Sequence, residues 1–264
     1  GEGGPAQGGG ALPPAKYRHD ESLTASPESM VQLTDDLRIE VIDMKNGRTK
    51  SQSPANAIRI EDEFWTAYDN QVIGLLNAEA SAQPTVAGFS LSDFKERWKL
   101  TLEAGETVEQ IKPCGDHRVC VAVDSSANDN YRTVAVDTTS GQTVWTIESE
   151  FSDDEGWYAT PKSIVLGDHT FDSIDKPKLL GPDGKEITKI EGSIEAIRGG
   201  RAFVTGYGAS GMEARVWDLT TGKVTAGLSF GQQVVPKHIA FDGTLCAVID
   251  DKGVLKMCRV KSLG

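Results

Sequence analysis

The sequence predicts an all-β propeller of four-stranded blades, about six blade positions within a range of five to seven. Three observations predict it. A turn motif recurs at a blade-sized interval, alternating β-branched stretches flank each turn, and helical periodicity is almost absent.

The turns are Val41-Ile-Asp43-Met-Lys-Asn-Gly47, Ala135-Val-Asp137-Thr-Thr-Ser-Gly141, Val216-Trp-Asp218-Leu-Thr-Thr-Gly222 and the shorter Gly181-Pro-Asp183-Gly184. The leading Asp accepts bonds from backbone amides two residues on, and the Gly supplies the positive φ that closes the turn. Gly88-Phe-Ser90-Leu-Ser-Asp-Phe-Lys-Glu-Arg-Trp98 fills the same slot without the closing Gly. Asp43 to Ser90 and Ser90 to Asp137 are each 47 residues, and the later intervals are nearer 40. The blades therefore fall at roughly 57–102, 103–149, 157–191, 192–228 and 234–260, with Met30 to Ser51 adding two or three strands. Such units bury their faces only by stacking on neighbours. Ring closure is expected to use strands from both termini, since an open propeller leaves unpaired edges. Trp65, Trp98, Trp145 and Trp217 fall in strand positions suited to packing between blades.

Residues 1–29 read differently. Gly1 to Gly10 is Gly-rich, and Pro and polar residues follow without an apolar period, which is the composition of a flexible linker ahead of a propeller domain at 30–264. The basic start and apolar stretch of a secretory leader are missing there. No run of 18 apolar residues occurs, so no membrane-spanning helix is expected. The net charge of -12 repels phosphate backbones and argues against nucleic acid as a partner.

The four cysteines form two local pairs. A turn near His117 sets Cys114 opposite Cys120, and a turn centred on Lys252 sets Cys246 opposite Cys258. Directly opposed strand residues are close enough for disulfides, and two such coincidences imply an oxidising, extracytoplasmic compartment. Neither spacing suits zinc.

At this point the repeats resemble a known family. Ala135-Val-Asp-Thr-Thr-Ser-Gly-Gln-Thr-Val-Trp145 is similar to the repeat of quinoprotein-like propellers, in which an Asp-x-x-Thr-Gly turn precedes a Val-Leu-Trp strand. Arg215-Val-Trp-Asp-Leu-Thr-Thr-Gly-Lys-Val224 resembles that repeat and WD-type repeats. The family spans quinone-dependent dehydrogenases, assembly scaffolds and sensor ectodomains, so the resemblance implies architecture rather than activity. Many of the dehydrogenases carry adjacent cysteines beside the cofactor, and this chain has none.

Other motifs lack the context their chemistry needs. Gly206-Tyr-Gly208-Ala-Ser-Gly211 matches a dinucleotide fingerprint, but an alternating strand follows it where a helix is required. Asp124 to Asn130 and Ser152 to Gly156 are acidic loops without calcium-loop spacing. His19, His117, His169 and His238 are scattered. No catalytic residue, metal ligand or cofactor is assigned.

The expected function is a non-catalytic extracytoplasmic propeller for binding, scaffolding or sensing, secreted or forming the outer domain of a membrane-anchored bacterial protein. The alternatives are a small oxidoreductase or glycan-active enzyme with a site built from blade loops, and a structural fragment of a larger propeller. In propellers of the resembled kind the Asp turns occupy one face. The opposite face would then gather Asp129, Tyr131, Asp153, Asp154, Glu155, Trp157, Tyr158 and Tyr207. Aromatic rings among carboxylates suit a cationic or polar partner, a basic protein segment or a cell-envelope component.

Overall fold

The computed structural model describes residues 28–34, 36–76, 83–125, 130–149, 157–160, 162–166, 177–208, 211–231 and 236–259. Every regular element among them is a strand, and the strands form six antiparallel sheets in chain order. Blade 1 is three-stranded: β1 (Ser29–Leu33), β2 (Ile39–Asp43) and β3 (Thr49–Gln52). Blade 2 comprises β4 (Ile60–Tyr68), β5 (Gln71–Leu76), β6 (Thr85–Ser90) and β7 (Glu96–Thr101). Blade 3 comprises β8 (Glu106–Gly115), β9 (Arg118–Ser125), β10 (Asn130–Asp137) and β11 (Thr143–Ser149). Blade 4 comprises β12 (Trp157–Thr160), β13 (Ser163–Leu166), β14 (Lys178–Leu180) and β15 (Glu186–Lys189). Blade 5 comprises β16 (Ser193–Arg198), β17 (Arg201–Gly208), β18 (Gly211–Asp218) and β19 (Lys223–Gly231). Blade 6 is again three-stranded: β20 (Pro236–Phe241), β21 (Leu245–Asp250) and β22 (Leu255–Arg259). The chain is an all-β propeller of about six blades, and the sheets fall within a few residues of the intervals the turn spacing predicts.

The turns form as their chemistry requires. Gly47, Gly141 and Gly222 have φ of 68°, 73° and 67°. Each donates its amide to the carbonyl of the leading Asp at 2.8 Å. Ser90 and Phe94 reproduce the arrangement: Phe94 N bonds Ser90 O at 2.9 Å, and Phe94 takes φ 56° in the place of the glycine.

Alternation along the inner strands buries two faces at once. In β9, Val119, Val121 and Val123 pack toward blade 2, while Cys120 packs toward blade 4. In β17, Ala202 and Val204 face blade 4 and Phe203 faces blade 6. Strands covered on both sides read as continuous apolar runs, which explains Val119-Cys-Val-Ala-Val123. Five apolar cores result, one between each pair of consecutive blades.

Polar contacts staple the same junctions. The Trp98 indole N–H donates to Gln71 Oε1 at 3.0 Å, and Gln71 Nε2 donates to the Thr138 carbonyl at 2.8 Å, tying blade 2 to blade 3. Trp145 Nε1 donates to the Pro182 carbonyl at 3.0 Å across blades 3 and 4. Arg201 Nη1 donates to the Gly243 carbonyl at 2.7 Å across blades 5 and 6, where Phe203 and Phe241 stack with centroids 5.6 Å apart.

Both cysteine pairs lie at disulfide distance, with Cα atoms 5.7 Å apart for Cys114 and Cys120 and 5.1 Å for Cys246 and Cys258. Cys246 pairs directly with Cys258 across β21 and β22. The first pair differs from the expected register. Gly115 opposes Arg118, a bulge intervenes between Pro113 and Gly115, and Cys120 opposes Lys112. Cys114 is the extra residue in the bulge, which carries its side chain onto the face of Cys120.

Candidate functional site

The strand order separates the loops onto two ends of the blades. Turns joining first to second strands and third to fourth strands share one end, where the Asp turns lie. Loops joining second to third strands, and the links between blades, share the other. Of the residues that the sequence gathers on one face, Tyr131, Trp157, Tyr158 and Tyr207 lie in strands near this second end.

Their surroundings differ. Tyr207, next to last in β17, is 80 % exposed. Tyr131 is half-buried at the start of β10, where it opposes Asp124. Tyr158 is half-buried and packs against the core between blades 4 and 5, so its ring serves that core. Trp157 opens β12 and pairs with Leu166 in the ladder; its side chain lies outside the described residues. Asp129, Asp153, Asp154 and Glu155 also lie outside them.

Besides Asp124, which the sequence reading places on this face, the structure brings further carboxylates to it. They sit where first strands begin and where third strands begin, and all are at the end that carries Tyr207. Arg132 donates to Glu106 through Nε at 2.8 Å and Nη2 at 2.7 Å. Glu106 is buried and also accepts the Glu103 amide at 2.7 Å. The two bonds to Glu106 raise the pKa of Arg132 above its ordinary value, holding the guanidinium charged. In blade 5, Arg215 Nη2 donates to Glu213 at 2.7 Å and Nη1 lies 3.9 Å from Glu191. Thr205 donates its hydroxyl to Glu195 nearby. Glu61, Asp62 and Glu63 occupy the corresponding start of β4. Asp124 Oδ1 is buried and has no hydrogen-bond partner among the described residues. This end therefore carries carboxylates, two of them anchored by arginines, and an exposed phenol.

The opposite end holds the arrangement that most resembles a catalytic triad. Asp69 Oδ2 accepts from His117 Nδ1 at 2.8 Å and from the Thr138 hydroxyl at 2.6 Å. The geometry serves packing. Thr138 is fully buried and its hydroxyl donates a hydrogen bond to the Asp69 carboxylate rather than to the imidazole. The bond to Asp69, more than any other contact, raises the pKa of His117. Among the described residues, no group of three His, Cys, Asp or Glu side chains is placed to hold a metal ion, and no helix is long and apolar enough to cross a membrane.

No protein-family model matches the chain, and no curated protein matches it. Solved structures do. The computationally designed protein Ika8 aligns with a TM-score of 0.52 at 16% identity, covering 91% of this chain and 70% of that one. The RRP9 WD40 repeats align at 0.49 and 10% identity, covering 92% and 78%. BamB from Moraxella catarrhalis aligns at 0.46 and 16% identity, covering 88% and 67%. At such identities the likeness is one of fold alone.

Proposed function

We propose that this chain is a non-catalytic binding propeller of an oxidising, extracytoplasmic compartment, which engages a cationic or polar partner through the end that carries Tyr207. The observation that carries the reading is the exposed phenol of Tyr207, which stands at the same end of blade 5 as the Glu213–Arg215–Glu191 cluster, on the other face of the sheet. An aromatic face beside carboxylates attracts an ammonium or guanidinium group by cation–π and ionic contact together. Tyr131 and Trp157 open β10 and β12 near the same end, and the reading extends by chain order to Asp129, Asp153, Asp154 and Glu155. The two cysteine pairs at disulfide distance support the compartment. The indole of each outer-strand Trp meets the turn of the next blade, Trp98 at Gly141 and Trp145 at Gly184, which supports reading the repeats as quinoprotein-like. The linker reading is kept for residues 1–27, since Glu28 and Ser29 belong to the turn and strand that open blade 1.

The test is affinity capture from a cell-envelope extract under oxidising conditions, with the parent chain and a variant carrying Tyr207→Ser, Asp153→Ser, Asp154→Ser and Trp157→Ser. A partner that binds through this end is lost from the variant and weakens steeply with salt. Equal retention of the partner by the variant at low salt refutes the site. Turnover in a dye-reduction assay with added quinone and Ca²⁺ refutes the non-catalytic reading.

A further inference from the structure

Six blades in a ring have six junctions, and five of them carry an apolar core among the described residues. Among the described residues, nothing covers the face of blade 6 turned away from blade 5. Cys246 and Val248 of β21 are fully buried on the blade 5 side, whereas Ile249 on the other side is 38% exposed. Ile249 pairs with Leu255, and Ala247 with Met257. Leu255 and Met257 are 55% and 58% exposed. Inner blades cover both faces of the equivalent strands.

The same blade also lacks a strand. Blades 2 to 5 each have four, and β22 is the edge of a three-stranded sheet, with no strand paired to its free side among the described residues. A free edge offers a row of backbone donors and acceptors that only another extended chain matches in full. Its charge selects which chain. β22 itself carries Lys256 and Arg259 and no acidic residue, and its turn holds Lys252 next to Asp251, in a protein of net charge -12. Lys256 donates to the Ser229 carbonyl at 3.2 Å and lies over the Phe230 ring, while Arg259 is exposed. Two β22 strands set edge to edge would bring these cations together, so a second copy is disfavoured. The Gly-rich start of the chain is a poor strand former.

We propose that the free edge of β22 is a strand-addition site for an extended acidic segment of a partner polypeptide. The segment supplies the fourth strand of blade 6. Its apolar side chains alternate onto the row of Leu255 and Met257, and its carboxylates meet Arg259 and Lys252. The site is separate from the Tyr207 end and does not depend on it.

The probe is a fluorescein-labelled peptide of sequence Thr143 to Glu150, TVWTIESE, which is the outer strand of blade 3 with the residue after it. It is titrated into the full chain by polarisation, and amide exchange is followed by mass spectrometry. The expected result is saturable binding that slows exchange over 254–259. Met257→Glu and Arg259→Glu in the protein, or Glu148→Lys with Glu150→Lys in the peptide, should each weaken it about tenfold or more. Both protein positions are exposed, so the variants keep the fold, which circular dichroism checks. Tyr207→Ser should leave binding unchanged, which separates this site from the one above. Protection elsewhere, or affinity unaltered by these variants, overturns the proposal. So does a concentration-dependent dimer abolished by Met257→Glu, since the occupant is then a second copy. Binding seen only after removal of residues 1–27 overturns it too, because the chain's own start then fills the edge.

Discussion

Replacing Gly141 by Ala tests whether the repeats are joined through indoles seated on glycines. Gly141 has φ 73°, a conformation that costs an L-residue about 1–2 kcal/mol. Its missing Cβ also makes room for a neighbour: an added methyl would collide with Trp98 Cβ and stand 2.9 Å from Trp98 Cγ. Overpacking of this kind costs about 1–3 kcal/mol. The sum is about 2–5 kcal/mol for Gly141→Ala. Gly47 supplies the internal control. It occupies the same turn position with φ 68°, and an added Cβ would meet nothing within 4 Å. Gly47→Ala should therefore cost the backbone strain alone, about 1–2 kcal/mol. Urea unfolding followed by tryptophan fluorescence and far-UV circular dichroism reads both. A double-mutant cycle completes the test, because Trp98→Gly removes both the Cβ and the ring that the methyl would meet, and Gly141→Ala in that background should fall to the cost of Gly47→Ala. Equal losses for the two single variants, or an unchanged cost of Gly141→Ala without the indole, would refute the argument that the Trp98–Gly141 contact holds blade 2 on blade 3.

Other outcomes follow from the same geometry. Alkylation of exported protein without reductant, followed by intact-mass analysis, should label no cysteine; four labelled thiols would remove the case for an oxidising compartment. Replacing Cys114 and Cys120 together by Ala should lower stability by about 2–3 kcal/mol, since the closed loop is short. His117 should titrate above the ordinary histidine value in an NMR pH series, and Asp69→Asn should return it downward. Because its folded pKa is raised, any stability it lends is complete below the unfolded value near about 6.5 and lost as pH rises through the folded one. A His117 resonance unmoved by Asp69→Asn would show that the hydrogen bond does not form. Glu106→Ala should cost about 2–3 kcal/mol, because the Glu103 amide and the partly buried Arg132 both lose their partner; a loss under about 0.5 kcal/mol would mean that water replaces the carboxylate.

The blade pattern was legible because it rests on local chemistry. An Asp that accepts amides two and three residues on, and a residue at positive φ to close the loop, are properties of five consecutive positions. Even Phe94, a poor residue for that backbone, is recognisable from the Ser90 that starts its turn and the Trp98 that follows. Features that depend on partners distant in the chain were less legible. Glu106 and Arg132 are separated by 26 residues and meet because β8 and β10 flank β9, a register the sequence does not announce. The bulge at Cys114 shifts one pairing by a residue, and the spacing of six between the cysteines fits either register. Tyr158 carries the same signal as Tyr207, yet one ring faces a neighbouring blade and the other faces solvent.

The comparison of β9 with β21 shows where local pattern stops deciding. Val119-Cys-Val-Ala-Val-Asp124 and Leu245-Cys-Ala-Val-Ile-Asp250 are nearly the same string, each with a cysteine second and an aspartate last. Alternation tells both strands to expect cover on two faces. For β9 the cover exists, since blades 2 and 4 flank it. For β21 only Cys246 and Val248 find it, and Ile249 is left partly in water. The two strings also turn opposite faces, Cys120 toward the following blade and Cys246 toward the preceding one, and the cover each face finds depends on which sheet stands beside it. A strand written for two buried faces but given one carries an unsatisfied apolar row at a cost of about 25 cal/mol per Å² left exposed. That cost is relieved once a further layer or strand settles on blade 6, so the sequence of β21 itself argues that its outer side is meant to be covered.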